Sequence, residues 1–197
     1  IILVLLVYLI QKKIKFHFQQ LGYFLVMSVI GIVVPFLLIA HGQKNIDSAL
    51  AGILMSTMPI STLILAHFFL SDESMTRKKI IGFTLAFLGI VILIFPDKIN
   101  YEGNYLENLY SQLMVILGAI LYSAAAVYGK RYKNTDALNA STGTILFSAI
   151  IMFIYLYFFV SIDESFVIVF KSWSIILLGV FCTAVATILY FQILQTS

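Results

Sequence analysis

Charge is the scarcest commodity in this sequence. Of 197 residues only 11% are Asp, Glu, Lys or Arg, while 61% are hydrophobic. A soluble domain carries roughly 25% charged residues. The single cysteine, Cys182, excludes a disulfide within the chain, and no CxxC or Cys/His cluster offers a metal site. HExxH and a Gly-rich phosphate loop are also missing. No cofactor and no nucleic-acid partner is expected from such a composition. Prolines number three, Pro35, Pro59 and Pro96, so each interruption of a helix stands out.

What remains is apolar sequence in long blocks. Blocks of about 20 residues match a hydrocarbon core of about 30 Å at about 1.5 Å per residue. Complete spans are predicted at Leu21–Ala40, Ala49–Leu70, Ile80–Pro96, Leu113–Gly129, Gly143–Ile162 and Trp173–Leu194. The fold class that follows is an all-α polytopic membrane protein with the lipid bilayer as its partner. A shorter apolar run, Ile1–Ile10, is too brief to cross and reads as the end of a cut helix, so the sequence is expected to be a fragment. A signal peptide fits poorly, because its positive flank precedes the apolar stretch, whereas Lys12, Lys13 and Lys15 follow it.

The few charges are unevenly placed. Loops 11–20, 71–79 and 130–136 hold Lys12, Lys13, Lys15, Arg77, Lys78, Lys79, Lys130, Arg131 and Lys133, nine of the twelve basic residues. Lys44, Lys98 and Lys171 are alone in the alternate loops. Short loops rich in Lys and Arg stay in the cytoplasm. The odd loops are therefore expected to face inward, in a multi-pass protein of the bacterial cytoplasmic membrane. Tyr101, Tyr105, Tyr110 and Trp173 fall at the outer span edges, where amphipathic rings favour the headgroup layer.

Shifting the chain on itself by 151 residues lays Ile1–Ile10 on Met152–Ser161 and Leu21–Ala40 on Ser172–Phe191. Spans fall on spans, and Lys12–Lys13 falls on Asp163–Glu164. A repeat of five spans inverts its second copy, so equivalent loops should prefer opposite charge. Inverted repeats are a common build for secondary transporters, with the binding site near the midplane.

These features resemble a known family. Asp47–Pro96 is similar to the fourth and fifth helices of an EamA-type member of the drug/metabolite transporter superfamily. The shared pattern is small residues (Ala49, Ala51), a mid-helix Pro59, Glu73 in a short loop, then spaced Gly82 and Gly89. Gly118–Tyr132 resembles the sixth helix with its basic exit, and Trp173–Gln195 the eighth, with Gly179 and Thr183. The resemblance implies a ten-helix bundle built from two inverted five-helix repeats, exporting small metabolites, amino-acid-like compounds or drugs by alternating access. On that pattern residues 1–96 end the first repeat, 97–110 form an outer linker, and 111–197 begin the second. The first, ninth and tenth helices have no counterpart here, and substrate, coupling ion and oligomeric state stay open.

The stretch STMPIST, Ser56–Thr62, raises the sharpest question. It is the centre of a run without carboxylate, lysine or arginine, Ala49–Leu70, yet it combines a helix breaker with four hydroxyls. Proline lacks an N–H and clashes with the carbonyl four residues back, here that of Met55. In lipid a freed backbone group costs several kcal/mol unless protein or a wet cavity receives it. Two readings follow. Ser56, Thr57, Ser61 and Thr62 close a packed helix–helix seam, or Ser56, Pro59 and Thr62 form a kinked wall of a translocation cavity. Pro35 repeats the theme on the preceding span, and Tyr122, Ser123, Thr183 and Tyr190 are further cavity candidates, with Thr187 beside them. For each, local packing is the simpler alternative.

His67 is the one ionisable residue inside a complete run, which makes it the proton-coupling candidate. Glu73 reads as an anchor of the inner loop, Cys182 as a small buried hydrophobe, and Phe153–Phe159 as a lipid-facing or packing surface. No complete span contains Asp or Glu. A carboxylate relay and a counter-ion for cationic drugs are thus missing from these spans, and a neutral, zwitterionic or moderately apolar small-molecule substrate fits better. A retinal protein would need a lysine in Trp173–Leu194, which has none. The more serious rival is a membrane-embedded enzyme acting on a lipid-soluble substrate, although no nucleophile–base pair or carboxylate pair can be assembled from the sequence.

Overall fold

The computed structural model describes residues 20–71, 76–94, 105–132, 136–159, 183 and 185–196. All regular structure among them is helical. We number the helices α1 (Leu21–Ser28), α2 (Val34–Gly42), α3 (Ser48–Met55), α4 (Thr57–Phe69), α5 (Arg77–Ile94), α6 (Tyr105–Arg131), α7 (Ala137–Phe159) and α8 (Ala186–Thr196). A π-helical turn, Val29–Val33, joins α1 to α2.

Among the described residues four helical stretches are long and apolar enough to cross a membrane: Leu21–Gly42, Ser48–Phe69, Leu106–Arg131 and Ala137–Phe159. The chain is a polytopic all-α membrane protein. Helix α5 covers the expected span from Ile80 to Ile94, opening with Arg77, Lys78 and Lys79 before its apolar part, and Phe95 and Pro96 lie outside the described residues. Of the run Trp173–Leu194 the described part is Thr183 and the stretch that includes α8. Ile1–Ile10, Lys12–Lys15, Glu73, Trp173, Gly179 and Cys182 lie outside the described residues.

The ends follow local chemistry. Asp47, in extended backbone, caps α3 by accepting the Ala49 N–H at 3.4 Å. Thr76 does the same for α5, accepting the Lys79 N–H at 3.4 Å. Lys130 and Arg131 close α6, where cations complement the carbonyl end of the helix dipole.

Two helices begin earlier than their apolar runs. The span predicted from Leu113 starts at Tyr105, and the one predicted from Gly143 starts at Ala137. Both extensions are polar yet buried: Asn108 and Ser111 on α6, Ser141 and Thr142 on α7. A rule that waits for apolar residues misses turns whose polar groups are bonded inside the protein.

The described helices fall into two compact units. The first, within residues 29–131, is organised around α6, against which the π turn, α2, α3 and α4 all pack, with α5 lying on α3 and α4. Ile46, Ala51 and Val115 form a small core there, flanked by Leu50, Leu54 and Met55. Two glycines set the closeness of the α2–α6 seam. A methyl on Gly42 would stand 2.7 Å from the Ser111 carbonyl oxygen and 2.8 Å from Val115 Cγ2, and one on Gly118 would stand 2.8 Å from Ile39 Cγ1.

The second unit contains α1, α7 and α8, with α7 packed against both others. Its centre is the first half of α7, where Ala140–Ile145 are buried in succession round the whole helix. The Phe24 ring lies directly over Gly143, whose missing side chain makes room for it. Phe147 lies beside the same ring at 6.5 Å. The other half of α7 is the reverse: Phe153, Tyr157, Phe158 and Phe159 are all at least 70% exposed. That agrees with a lipid-facing surface for Phe153–Phe159.

Candidate functional site

Proline and hydroxyls do break the Ser48–Phe69 span. Helix α3 ends at Met55 and α4 starts at Thr57, with Ser56 as the joint. Pro59 therefore lies in the first turn of α4, where an N–H would lack an intrahelical partner in any case. The carbonyls that receive hydroxyls differ from the one expected. Ser56 Oγ donates to Ile53 O at 2.5 Å, Thr57 Oγ1 to Leu54 O at 2.7 Å, and Thr62 Oγ1 to Met58 O at 2.8 Å. Because the helix already stops at Met55, the carbonyls opened by the break lie one and two residues before it.

Helix α6 supplies the fourth hydroxyl. Ser123, fully buried, places Oγ 2.9 Å from Met58 O on α4 and 3.0 Å from Ala119 O on its own helix. Thr62 and Ser123 thus meet at the Met58 carbonyl in the α4–α6 seam, while Ser56 and Thr57 bond locally to carbonyls three residues back. Tyr122 is half-buried beside them. Pro59 itself is exposed, not packed, since the hydroxyls rather than its ring meet the cost of the break.

Pro35 has different surroundings. It is buried at the start of α2, immediately after the π turn, which widens the helix where the proline ring would meet the Gly31 carbonyl. Its own carbonyl lies 3.3 Å from the place a Gly118 methyl would occupy. Pro35 is accordingly part of the tight α2–α6 seam.

The remaining candidates divide between the units. His67, exposed in the last turn of α4, has its ring 5.5 Å from that of Phe68. In the second unit Thr183 is exposed and its carbonyl accepts Thr187 Oγ1 at 2.5 Å. Tyr190 is half-buried, edge-on to Phe191 at 5.4 Å. The structure brings Thr62 and Ser123 together at the Met58 carbonyl in the first unit, leaves Ser56 bonded to Ile53 O, and keeps Pro35 in a separate seam.

A second polar centre escapes the sequence reading. Ser28 Oγ lies 2.6 Å from Phe24 O and 2.8 Å from Thr144 O, while Ser148 Oγ donates to Thr144 O at 2.7 Å. Ser141 Oγ reaches Leu138 O at 3.1 Å. Thr144 Oγ1 is buried without a hydrogen-bond partner, as is Asn139 Oδ1. The available signal was the run Asn139-Ala140-Ser141-Thr142-Gly143-Thr144, six small or polar residues at the mouth of an apolar stretch. A further polar contact, Asn45 Nδ2 to Ser111 Oγ at 3.2 Å, ties the α2–α3 loop to α6. Among the described residues no three His, Cys, Asp or Glu side chains are grouped to hold a metal ion.

Discontinuous apolar helices recur at the midplane of secondary transporters, and the comparisons with known proteins include transporters. The EamA-like transporter family matches residues 1–95. Over nearly the full chain there are more distant relatives. The uncharacterized transporter YoaV of Bacillus subtilis is 21% identical over 98% of this chain and 65% of its own length. An uncharacterized transporter of Buchnera aphidicola is 23% identical over 98% and 63%. The protein PagO of Salmonella typhimurium is 22% identical over 98% and 62%. The chain therefore spans somewhat under two thirds of the length of these relatives. No solved structure matches it.

Proposed function

We propose that the chain is part of a membrane transporter that moves small neutral or zwitterionic solutes, amino-acid-like compounds, metabolites or drugs among them, out of the cytoplasm by alternating access. The observation that carries this reading is the broken Ser48–Phe69 span. Its hydroxyls Ser56, Thr57 and Thr62, with Ser123 reaching Met58 O from α6, make it a polar patch of sequence without formal charge in mid-membrane. Such a patch exchanges hydrogen bonds with a polar uncharged solute, and it contains no carboxylate to hold a cation. The EamA match and relatives named as transporters support the class.

In this reading the chain runs from the second to the eighth helix of two inverted five-helix repeats, joined by the outer linker 97–110. Loops 11–20, 71–79 and 130–136 face the cytoplasm. Ser56, Pro59, Thr62, Tyr122 and Ser123 are the cavity candidates of the first unit, Thr183 and Tyr190 those of the second, and Pro35 shapes the packed α2–α6 seam. His67 is the candidate for coupling to a proton.

Vesicles containing the protein, loaded with labelled neutral amino acids, provide the test. Release of unchanged solute is expected, and it should fall when Ser56 and Thr62 are both replaced by Val. Chemical conversion of a lipid-soluble compound in the absence of any gradient would favour the embedded enzyme. Cysteines placed at Ser56 or Thr62 should react with a small aqueous thiol reagent in at least one transport condition, and full protection in all of them argues for a permanently closed seam.

A further inference from the structure

Two serines, one in each unit, share the same arrangement. On α6, Ser123 Oγ lies 2.9 Å from the carbonyl of Met58 across the seam and 3.0 Å from that of Ala119, one turn back on its own helix. On α1, Ser28 Oγ lies 2.8 Å from the carbonyl of Thr144 on α7 and 2.6 Å from that of Phe24, again one turn back. Each cross-seam carbonyl also receives a hydroxyl from four residues further along its own helix. Thr62 serves Met58 at 2.8 Å, and Ser148 serves Thr144 at 2.7 Å. Ser28 and Ser123 are both 0% exposed.

A serine has one hydroxyl proton, and a carbonyl oxygen has two lone pairs. Each serine can donate across the seam or down its own helix, but not both at once. The carbonyl opposite already has its helical N–H four residues on and an own-helix hydroxyl besides. When the helices part, the serine turns to its own helix and the carbonyl keeps its two remaining donors. Nothing polar is left bare. In lipid that matters, because an unsatisfied group costs several kcal/mol and holds an ordinary polar seam shut.

We infer that Ser123 and Ser28 are exchange latches: hydroxyls that close the α4–α6 and α1–α7 seams and hand their bond to their own helix when those seams open. The inference rests on the transport reading for its purpose, since alternating access requires helices that part and rejoin. Its test needs no substrate.

Spin labels at the exposed positions Ile64 on α4 and Leu117 on α6, with Cys182 replaced by Ala, would report the first seam by pulsed electron resonance on the protein in lipid nanodiscs. Two distance populations are expected with both latch residues intact. Ser123→Ala should enrich the longer distance about threefold, the shift expected for one average interhelical hydrogen bond in a membrane. Thr62→Val should deplete it by a similar factor, because Met58 O then has no competing hydroxyl. Opposite responses are the signature, since a merely structural pair would loosen the seam in both variants. A single distance unmoved by either variant, or a shift of both in one direction, overturns the latch. Labels at Leu25 and Ile150 with Ser28→Ala and Ser148→Ala repeat the test on α1–α7, and carry it if Ser123→Ala does not fold. Moving seams in vesicles that release no solute would leave the latch standing and remove the transport reading. Solute release with an unmoved seam would do the reverse.

Discussion

Helix α6 carries two seams made by different means. Against α2 it presents glycine: Gly118 faces Ile39 and Pro35, and Ser111 with Val115 face Gly42. Against α4 it presents Ser123, whose proton has two carbonyls to choose from. The glycine seam is held by close contact of backbone and small side chains, which has no second arrangement of equal quality. The serine seam is packed too, but it includes a hydrogen bond that has an alternative nearby. Membrane helices have no hydrophobic drive toward one another, so packing and hydrogen bonds decide which contacts are permanent. The difference teaches that one helix can be fixed on one side and releasable on the other.

Substitutions that attack the two seams should therefore separate in size. Gly42→Ala is expected to have the largest effect, a loss of about 3 kcal/mol in unfolding from mixed micelles, because a backbone oxygen stands where the methyl must go. Gly143→Ala, in the other unit, should cost about 2 kcal/mol, since the buried Phe24 ring at 2.6 Å must tilt away from the new methyl. Gly118→Ala meets the flexible end of Ile39 first, and a loss of about 1 kcal/mol is expected. For Ser123→Ala the corresponding figure is about 0.6 kcal/mol. If it exceeded that of Gly42→Ala, the assignment of fixed and releasable seams would be reversed. Pro59→Ala should change stability least, by about 0.5 kcal/mol or less, because the ring is exposed in a first helical turn. Its effect should instead appear as a straighter Ser48–Phe69 span, visible as a longer distance between labels on Ala49 and Phe68.

Much of this was legible in the residues, and the rest was not for identifiable reasons. Span positions follow from block length alone, because lipid accepts few other backbones than helices. The break near Pro59 follows from the ring and the missing N–H. The carbonyls it opens did not, because the helix stops at Met55 and the register of freed groups moves back with it. Pro35 and Pro59 looked alike in sequence, yet one is buried behind a π turn and the other is exposed. The difference comes from neighbours, Gly118 for Pro35, that no local pattern names. Ser28 and Thr144 are 116 residues apart. Each is an unremarkable hydroxyl in its own helix, and only the pairing of α1 with α7 gives them a shared purpose.

The enclosure of Ala140–Ile145 on every side also has an evolutionary consequence. A helix with one buried face leaves its outer face free to drift, but this stretch has no outer face. At Ala140–Thr144 many single-base changes would enlarge a side chain with nowhere to put it, so selection should narrow the permitted alphabet at those five positions to glycine, alanine, serine and threonine. In a saturation library those few codons would be a silent strip within an otherwise permissive gene.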